Sequence, residues 1–330
     1  MMKKFFRRLM IIAIVLFLIV TLKNKTSFPD FNLVKLSSIF NSDDYASKYI
    51  YVLNREDKSA EYEKNSREKA YPASLTKIMT TIVALEHIDD LSAVAPVDVD
   101  TYKKMVANNA SMAGFYGREA VTYRDLLYGT ILSSGGEAAN SLAVNVAGSV
   151  DDFVILMNEK ASELGLEDTH FTSPEGLQNK EQYTSAYDMA RLLDYALDNG
   201  DFRAIFTKKT FTTTSTTDHP NGITLKSTVL SKLDGVPQKN FEIVGGKSGT
   251  TYEAGECWAT LGVKEGCEYI CIVMGAPLKD ISHPDMAQKD DSIKLYERIK
   301  WYYNIIKKVV GVVVQLEAPI NIEPAITAIK

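Results

Sequence analysis

The order of segments along the chain predicts an α/β fold of the α+β kind, one antiparallel sheet assembled from both chain ends with a helical insertion between. Three observations carry this. Strand-like runs lie near residues 49–64 and again at 241–275, and amphipathic helical runs fill the middle. The 330 residues, 45% of them apolar and 10% aromatic, are enough to bury a full core and exclude general disorder.

In chain order, residues 26–45 are polar, contain Pro29, and read as a tether. Tyr49 to Leu53 reads as a strand, Asn54 to Ser59 as a polar turn, and Ala60 to Lys64 as a second strand. Leu75, Ile78, Met79, Ile82, Val83 and Leu85 recur at helical spacing and predict a helix from Ser74 to His87. Thr122 with Asp125 forms a capping-box opening to a helix ending near Leu132, and Ser149 with Asp152 opens another that stops at Gly165. Residues 186–199 are one more amphipathic helix, ending before Gly200, and the threonine-rich run 210–217 favours an exposed strand or loop. Phe241 to Lys247, Glu256 to Val263 and Glu268 to Gly275 read as three strands, the last two joined by a Lys264-Glu265-Gly266 turn. A helix from Ser292 to Asn304 completes the body.

The net charge of −5 hides an asymmetry. Residues 1–25 hold Lys3, Lys4, Arg7, Arg8, Lys23 and Lys25 and no acid, which leaves 31 bases against 42 acids, a net of −11, for residues 26–330. So acidic a body is a poor binder of phosphate backbones, and nucleic acid is not expected as a partner. The basic start runs into twelve apolar residues, Leu9 to Val20, the layout of an export signal. No small-x-small cleavage site follows, which favours an uncleaved anchor with its basic end inside and the rest of the chain extracytoplasmic; secretion after signal cleavage is the alternative. Cys257, Cys267 and Cys271 are too few for a disulfide framework and read as small buried hydrophobes. The four histidines have no metal-ligand spacing, so neither a metal nor a cofactor is expected.

Without a histidine in hydrolase context and without a G-x-S-x-G elbow, serine with lysine is the remaining metal-free route to an activated nucleophile. An S-x-x-K spacing sets the two side chains one helical turn apart on one face. Ser66 and Lys69 have it in a charged stretch where nothing would desolvate the lysine. Ser74 and Lys77 have it at the head of the most apolar helix, where burial and a second cation would lower the lysine toward the range of a general base. The second cation is Lys247, in the chain's lone K-[ST]-G segment, Lys247-Ser248-Gly249 followed by Thr250. Its glycine lets a substrate lie along the strand edge, and Lys247, Ser248 and Thr250 can hold a carboxylate. Between the two comes Ser133-Ser134-Gly135-Gly136-Glu137, a tight break between helices.

Together, in this order, the three segments resemble the signature of the serine penicillin-recognising enzymes. Within them the chain is most similar to the low-molecular-weight D-alanyl-D-alanine carboxypeptidases (peptidase family S11), through Tyr71 to Thr80, Thr122 to Gly129, Asn158 to Leu177, Ala186 to Met189 and Glu253 to Cys257. The resemblance implies a β-lactamase/transpeptidase-like fold, a five-stranded antiparallel sheet flanked by helices with a mainly helical subdomain, over residues 46–305, with a short tail at 306–330. It implies Ser74 as nucleophile on the penultimate D-Ala carbonyl of a peptidoglycan stem peptide, Lys77 as base, and Ser134 as relay to the leaving amine. Lys247, Ser248, Gly249 and Thr250 would line the carboxylate site, and the backbone N–H groups of Ser74 and Thr250 the oxyanion hole. β-Lactams would be trapped on Ser74.

Two departures stand out. The family's second motif usually ends in Asn where this chain has Gly136, and Asn140, one turn on, is a candidate to take its place. Many relatives also continue into a second, β-rich domain and a C-terminal amphipathic anchor, whereas here Val309 to Leu316 is too short for either. A class A β-lactamase is the rival enzyme, but its E-x-x-L-N pattern is absent and Pro174-Glu175-Gly176-Leu177 is a thin substitute. A weakly active penicillin-binding sensor or wall-binding protein is the non-enzymatic rival.

Overall fold

The computed structural model describes residues 45–299. Strands β1 (Tyr49–Asn54) and β2 (Ala60–Lys64) open the chain, followed by a 3-10 turn (Ala73–Thr76) and helix α1 (Lys77–His87). Next come β3 (Val94–Pro96), α2 (Val99–Ala107), β4 (Ala120–Thr122), α3 (Tyr123–Ile131), α4 (Gly136–Ala147) and α5 (Val150–Glu163). After these come α6 (Ala186–Ala196), α7 (Gly200–Phe206), β5 (Thr210–Thr212) and β6 (Thr224–Lys226). The long strands β7 (Glu242–Thr251), β8 (Gly255–Lys264) and β9 (Cys267–Ala276) precede α8 (Ala287–Arg298). The main sheet has the order β2-β1-β9-β8-β7 with every pair antiparallel, so β1 from the N-terminal side pairs with β9, as the sequence order suggested.

The sheet is buried on both faces, and the strand alternation shows it. Tyr51, Leu53, Cys257, Ala259, Leu261, Ile270, Ile272 and Met274 face the helical layer of α1, α3, α4 and α6. Ile50, Val52, Trp258, Tyr269, Cys271 and Val273 face the other way, onto Leu295 and Tyr296 of α8. Two-sided burial explains why β8 and β9 read as near-continuous apolar runs instead of clean alternation. Gly262 lies under the Tyr296 ring, where a Cβ would come within 2.4 Å of it, and the Tyr296 hydroxyl bonds the Thr260 side chain at 3.0 Å.

The helix starts are set locally. Thr122 and Asp125 form the expected capping box on α3, and Ser149, Ser185, Asn199 and Asp98 each accept a backbone N–H from the first turn of α5, α6, α7 and α2. Two helices go beyond the sequence expectation. Helix α2 is largely exposed and buries only Thr101 and Met105, and α7 begins at the glycine read as a stop, because Asn199 caps it. Ser74 lies in a 3-10 turn ahead of α1 and not in the α-helix itself. Helix α8 begins five residues before the expected Ser292, and the expected end at Asn304 lies outside the described residues, as do the N-terminal apolar segment and the C-terminal tail. Among the described residues no helix is long and apolar enough to cross a membrane.

The first described residues are clasped to α8 by Asp291, which is 2% exposed. Its carboxylate accepts from the Ser47 backbone N–H and hydroxyl, both at 2.7 Å, and from the Ala46 N–H at 3.3 Å. Asp291→Ala strands these buried donors and is expected to lower unfolding stability by about 2 to 3 kcal/mol. Urea denaturation checks this; an unchanged midpoint contradicts it.

Candidate active site

Ser74 sits on the 3-10 turn that feeds α1, held by the Leu75 N–H donating to Pro72 O at 3.1 Å. The preceding Ala73 has φ 47°, a left-handed conformation for a residue with a side chain, at a typical cost of about 1 to 3 kcal/mol. Ser134 shows the same feature at φ 60°, in the break between α3 and α4. Both serines are therefore held at or next to a left-handed backbone position.

Lys77 is 2% exposed and donates to Ser74 Oγ at 3.1 Å and to the Glu175 backbone carbonyl at 2.5 Å. Lys247 is fully buried and donates to Ser134 Oγ at 2.8 Å and to its neighbour's carbonyl, Ser248 O, at 2.7 Å. Each lysine is thus paired with one serine hydroxyl and one carbonyl. Burial lowers Lys77 to about 8, against the opposing pull of Glu175 and Glu137. Burial, with the Lys77 charge added, pushes Lys247 well below the ordinary lysine range. At pH 7 a group with a pKa of about 8 is neutral about one time in ten, against about one in 2,500 for an unperturbed lysine.

The pocket holds about 250 Å³ and is lined by Ser74, Lys77, Asn108, Glu175, Thr250 and Tyr252, among others. Strand β7 forms one wall and passes very close to the nucleophile turn: a Cβ on Gly249 would lie 3.0 Å from both Pro72 O and Ser74 N. The expected role of that glycine, close approach along the strand, has a visible cause here. The Ser248 hydroxyl bonds Thr228 Oγ1 at 2.7 Å. Another wall is the 173–177 loop, where Gly176 at φ 82° leaves no room for a Cβ against Ala73 O, and Thr80 Oγ1 donates to Pro174 O at 2.6 Å. The 108–115 loop is set by Glu137, buried completely, whose Oε1 accepts from the N–H groups of Ala113, Gly114 and Phe115.

Of the residues singled out from sequence, Ser74, Lys77, Ser134 and Lys247 come together, and Gly249 and Thr250 lie on the adjacent strand. Ser66 and Lys69 do not pair: Ser66 bonds Glu63, and Lys69 lies over the Tyr183 ring. No disulfide links the three cysteines among the described residues, and burial raises the Cys257 and Cys271 thiols. The histidines are engaged elsewhere, His87 with Val83 O, His170 with Glu181 O, His219 with Glu119 and His283 with Asp280. Among the described residues no cluster could hold a metal ion. Asn140 reaches neither Ser74 nor Lys77; its amide donates to Gly136 O and Glu175 Oε2. The carbonyl of Glu175, 98 residues from Lys77, and the 108–115 loop, set by Glu137 22 to 24 residues on, escaped sequence reading, because such loop packing leaves no local pattern.

Two outcomes follow from this geometry. With Lys77 as the expected base for Ser74, acylation by a β-lactam is expected to quicken with pH and level off above about 8, measured by stopped-flow labelling; a rate flat from pH 6 to 9 contradicts it. Gly249→Ala pushes β7 away from Ser74 and is expected to cut that rate by about tenfold or more, with an unchanged rate as the contrary result.

The D-alanyl-D-alanine carboxypeptidase family model matches residues 39–278. The D-alanyl-D-alanine carboxypeptidase DacF of Bacillus subtilis is 31% identical over 232 residues, covering 70% of this chain and 58% of that protein. The D-alanyl-D-alanine carboxypeptidase DacD of Escherichia coli is 34% identical over 221 residues, covering 64% of this chain and 54% of that one. The chain thus spans a little over half the length of these two curated relatives. The crystal structure of a Streptomyces DD-transpeptidase superposes with a TM-score of 0.67 at 30% identity, covering 77% of this chain and 96% of the other. The match of fold, motif order and most of the described residues places this chain in the D-alanyl-D-alanine carboxypeptidase family of peptidases.

Proposed function

We propose that the protein removes the terminal D-Ala from peptidoglycan stem pentapeptides through an acyl-enzyme on Ser74. The observation that carries this reading is the contact of Lys77 with the Ser74 hydroxyl at 3.1 Å, with the lysine lowered to about 8. Neutral Lys77 takes the Ser74 proton as Oγ bonds the penultimate carbonyl carbon. The resulting oxyanion lies between the backbone N–H groups of Ser74 and Thr250. As the C–N bond breaks, Ser134, bonded to Lys247, gives its hydroxyl proton to the departing D-Ala amine and takes up the one Lys77 accepted, leaving Lys77 neutral for the attack of water. Water then cleaves the ester, returning Ser74.

The terminal carboxylate is bound along β7 by Lys247 and Thr250. Ser248, whose hydroxyl faces Thr228, contributes through that pair. A β-lactam reacts by the same attack, its ring C–N bond opening while the amine stays tethered, so the ester persists. The basic start and the apolar run Leu9 to Val20 support an N-terminal anchor that keeps this site on the outer side of the membrane, next to the wall.

Fluorescent penicillin labelling and D-Ala release from a pentapeptide test the reading on the full chain. The parent is expected to label and to release D-Ala, and Ser74→Ala to lose both by at least about a thousandfold. Labelling without D-Ala release favours a penicillin-binding sensor, rapid penicillin turnover favours a β-lactamase, and labelling that survives Ser74→Ala overturns the assignment.

A further inference from the structure

Helix α4 begins without a side-chain amide at Gly136, and the room for one is taken: a Cβ there would lie 2.8 Å from Met105 Sδ and 3.4 Å from Ser111 O. One turn on, Asn140 is 3% exposed and its Nδ2 donates to Gly136 O at 2.9 Å and to Glu175 Oε2 at 3.0 Å. Glu175 is 7% exposed and lines the pocket beside Ser74 and Lys77. Its backbone carbonyl already accepts from Lys77 Nζ at 2.5 Å. One residue therefore holds the base by its backbone while a neighbouring amide fixes its carboxylate at the same pocket.

Two charged groups act on Lys77, each from a different element, and the Lys77 charge acts in turn on Lys247 of β7. Glu137 on α4 attracts Lys77, but its Oε1 is committed to the three N–H groups of the 113–115 backbone. Glu175, on the loop before α6, attracts it most strongly, and its carboxylate is held by Asn140 beside the pocket that the residue lines. When Lys77 takes the serine proton it becomes a buried cation close to Lys247, a charge state that low dielectric penalises heavily unless a counter-charge is already in place.

We propose that Glu175, held by Asn140, is a positioning residue of the catalytic site, its carboxylate serving as the fixed counter-charge of Lys77 where the second motif lacks its amide. The proposal rests on the acylation chemistry assigned above to Ser74. A carboxylate that favours protonated Lys77 makes it a stronger base and also delays its neutralisation to higher pH, so its removal has a two-part signature.

The test is penicillin acylation of the full chain, measured as rate against pH, for the parent and for Glu175→Gln, Glu175→Asp, Asn140→Ala and Ser74→Ala. In Glu175→Gln the acidic limb is expected to move down by about one pH unit and the plateau to fall about tenfold. Glu175→Asp keeps the charge and holds the limb near the parent's position. Asn140→Ala frees the carboxylate and moves the limb part of the way toward that of Glu175→Gln. A general structural defect lowers the plateau without moving the limb, so a parental limb in Glu175→Gln overturns the proposal whatever the plateau does. Labelling that persists in Ser74→Ala instead overturns the site assignment on which the proposal rests.

Discussion

Two lysines buried side by side are the constraint on which the rest of this structure depends. Among the described residues neither Lys77 nor Lys247 has an ion-pair partner at contact distance; each is held by a serine hydroxyl and a backbone carbonyl. Taking Lys77 from its ordinary 10.5 to about 8 corresponds to about 3 kcal/mol of folding stability given up. The cost is present in full below pH 8 and fades as pH rises toward 10.5, where the unfolded chain also loses its proton. The two-sided core of the sheet and helices offsets it. What the cost secures is a neutral amine next to a serine at a pH where free lysine is almost wholly charged.

The architecture places the four groups by bringing three separate segments together. The 3-10 turn with Ala73 in a left-handed conformation presents Ser74, the first residue of α1 presents Lys77, and the break at Ser134 faces Lys247 on β7. Gly249 and Gly176 are the two positions where only a glycine lets neighbouring backbone close on the nucleophile turn. The sheet order puts β7 at an edge, so one side of that strand is left for an extended substrate.

Much of this is legible in the sequence because it is local. The S-x-x-K spacing, the capping box at Thr122, the N-cap at Ser149, and the hairpin at Glu265 and Gly266 are read within a few residues, and their structural counterparts match. The pairing of β1 with β9 follows from strands bracketing a helical middle. Helices α2 and α7 were not read from the sequence: α2 buries only Thr101 and Met105, and α7 starts on a glycine. Nor was the link from Asn140 through Glu175 to Lys77. Its members lie 35 and 98 residues apart and meet only because the 173–177 loop packs against the turn bearing Ser74.

The central claim is the state of one side chain, and a direct titration decides it. Heteronuclear NMR of the Lys77 side chain in the labelled full-length protein, with Lys77→Arg to assign the signal, is expected to show a midpoint near 8. A midpoint close to the ordinary 10.5 would mean that Lys77 stays charged at neutral pH and cannot be the base for Ser74.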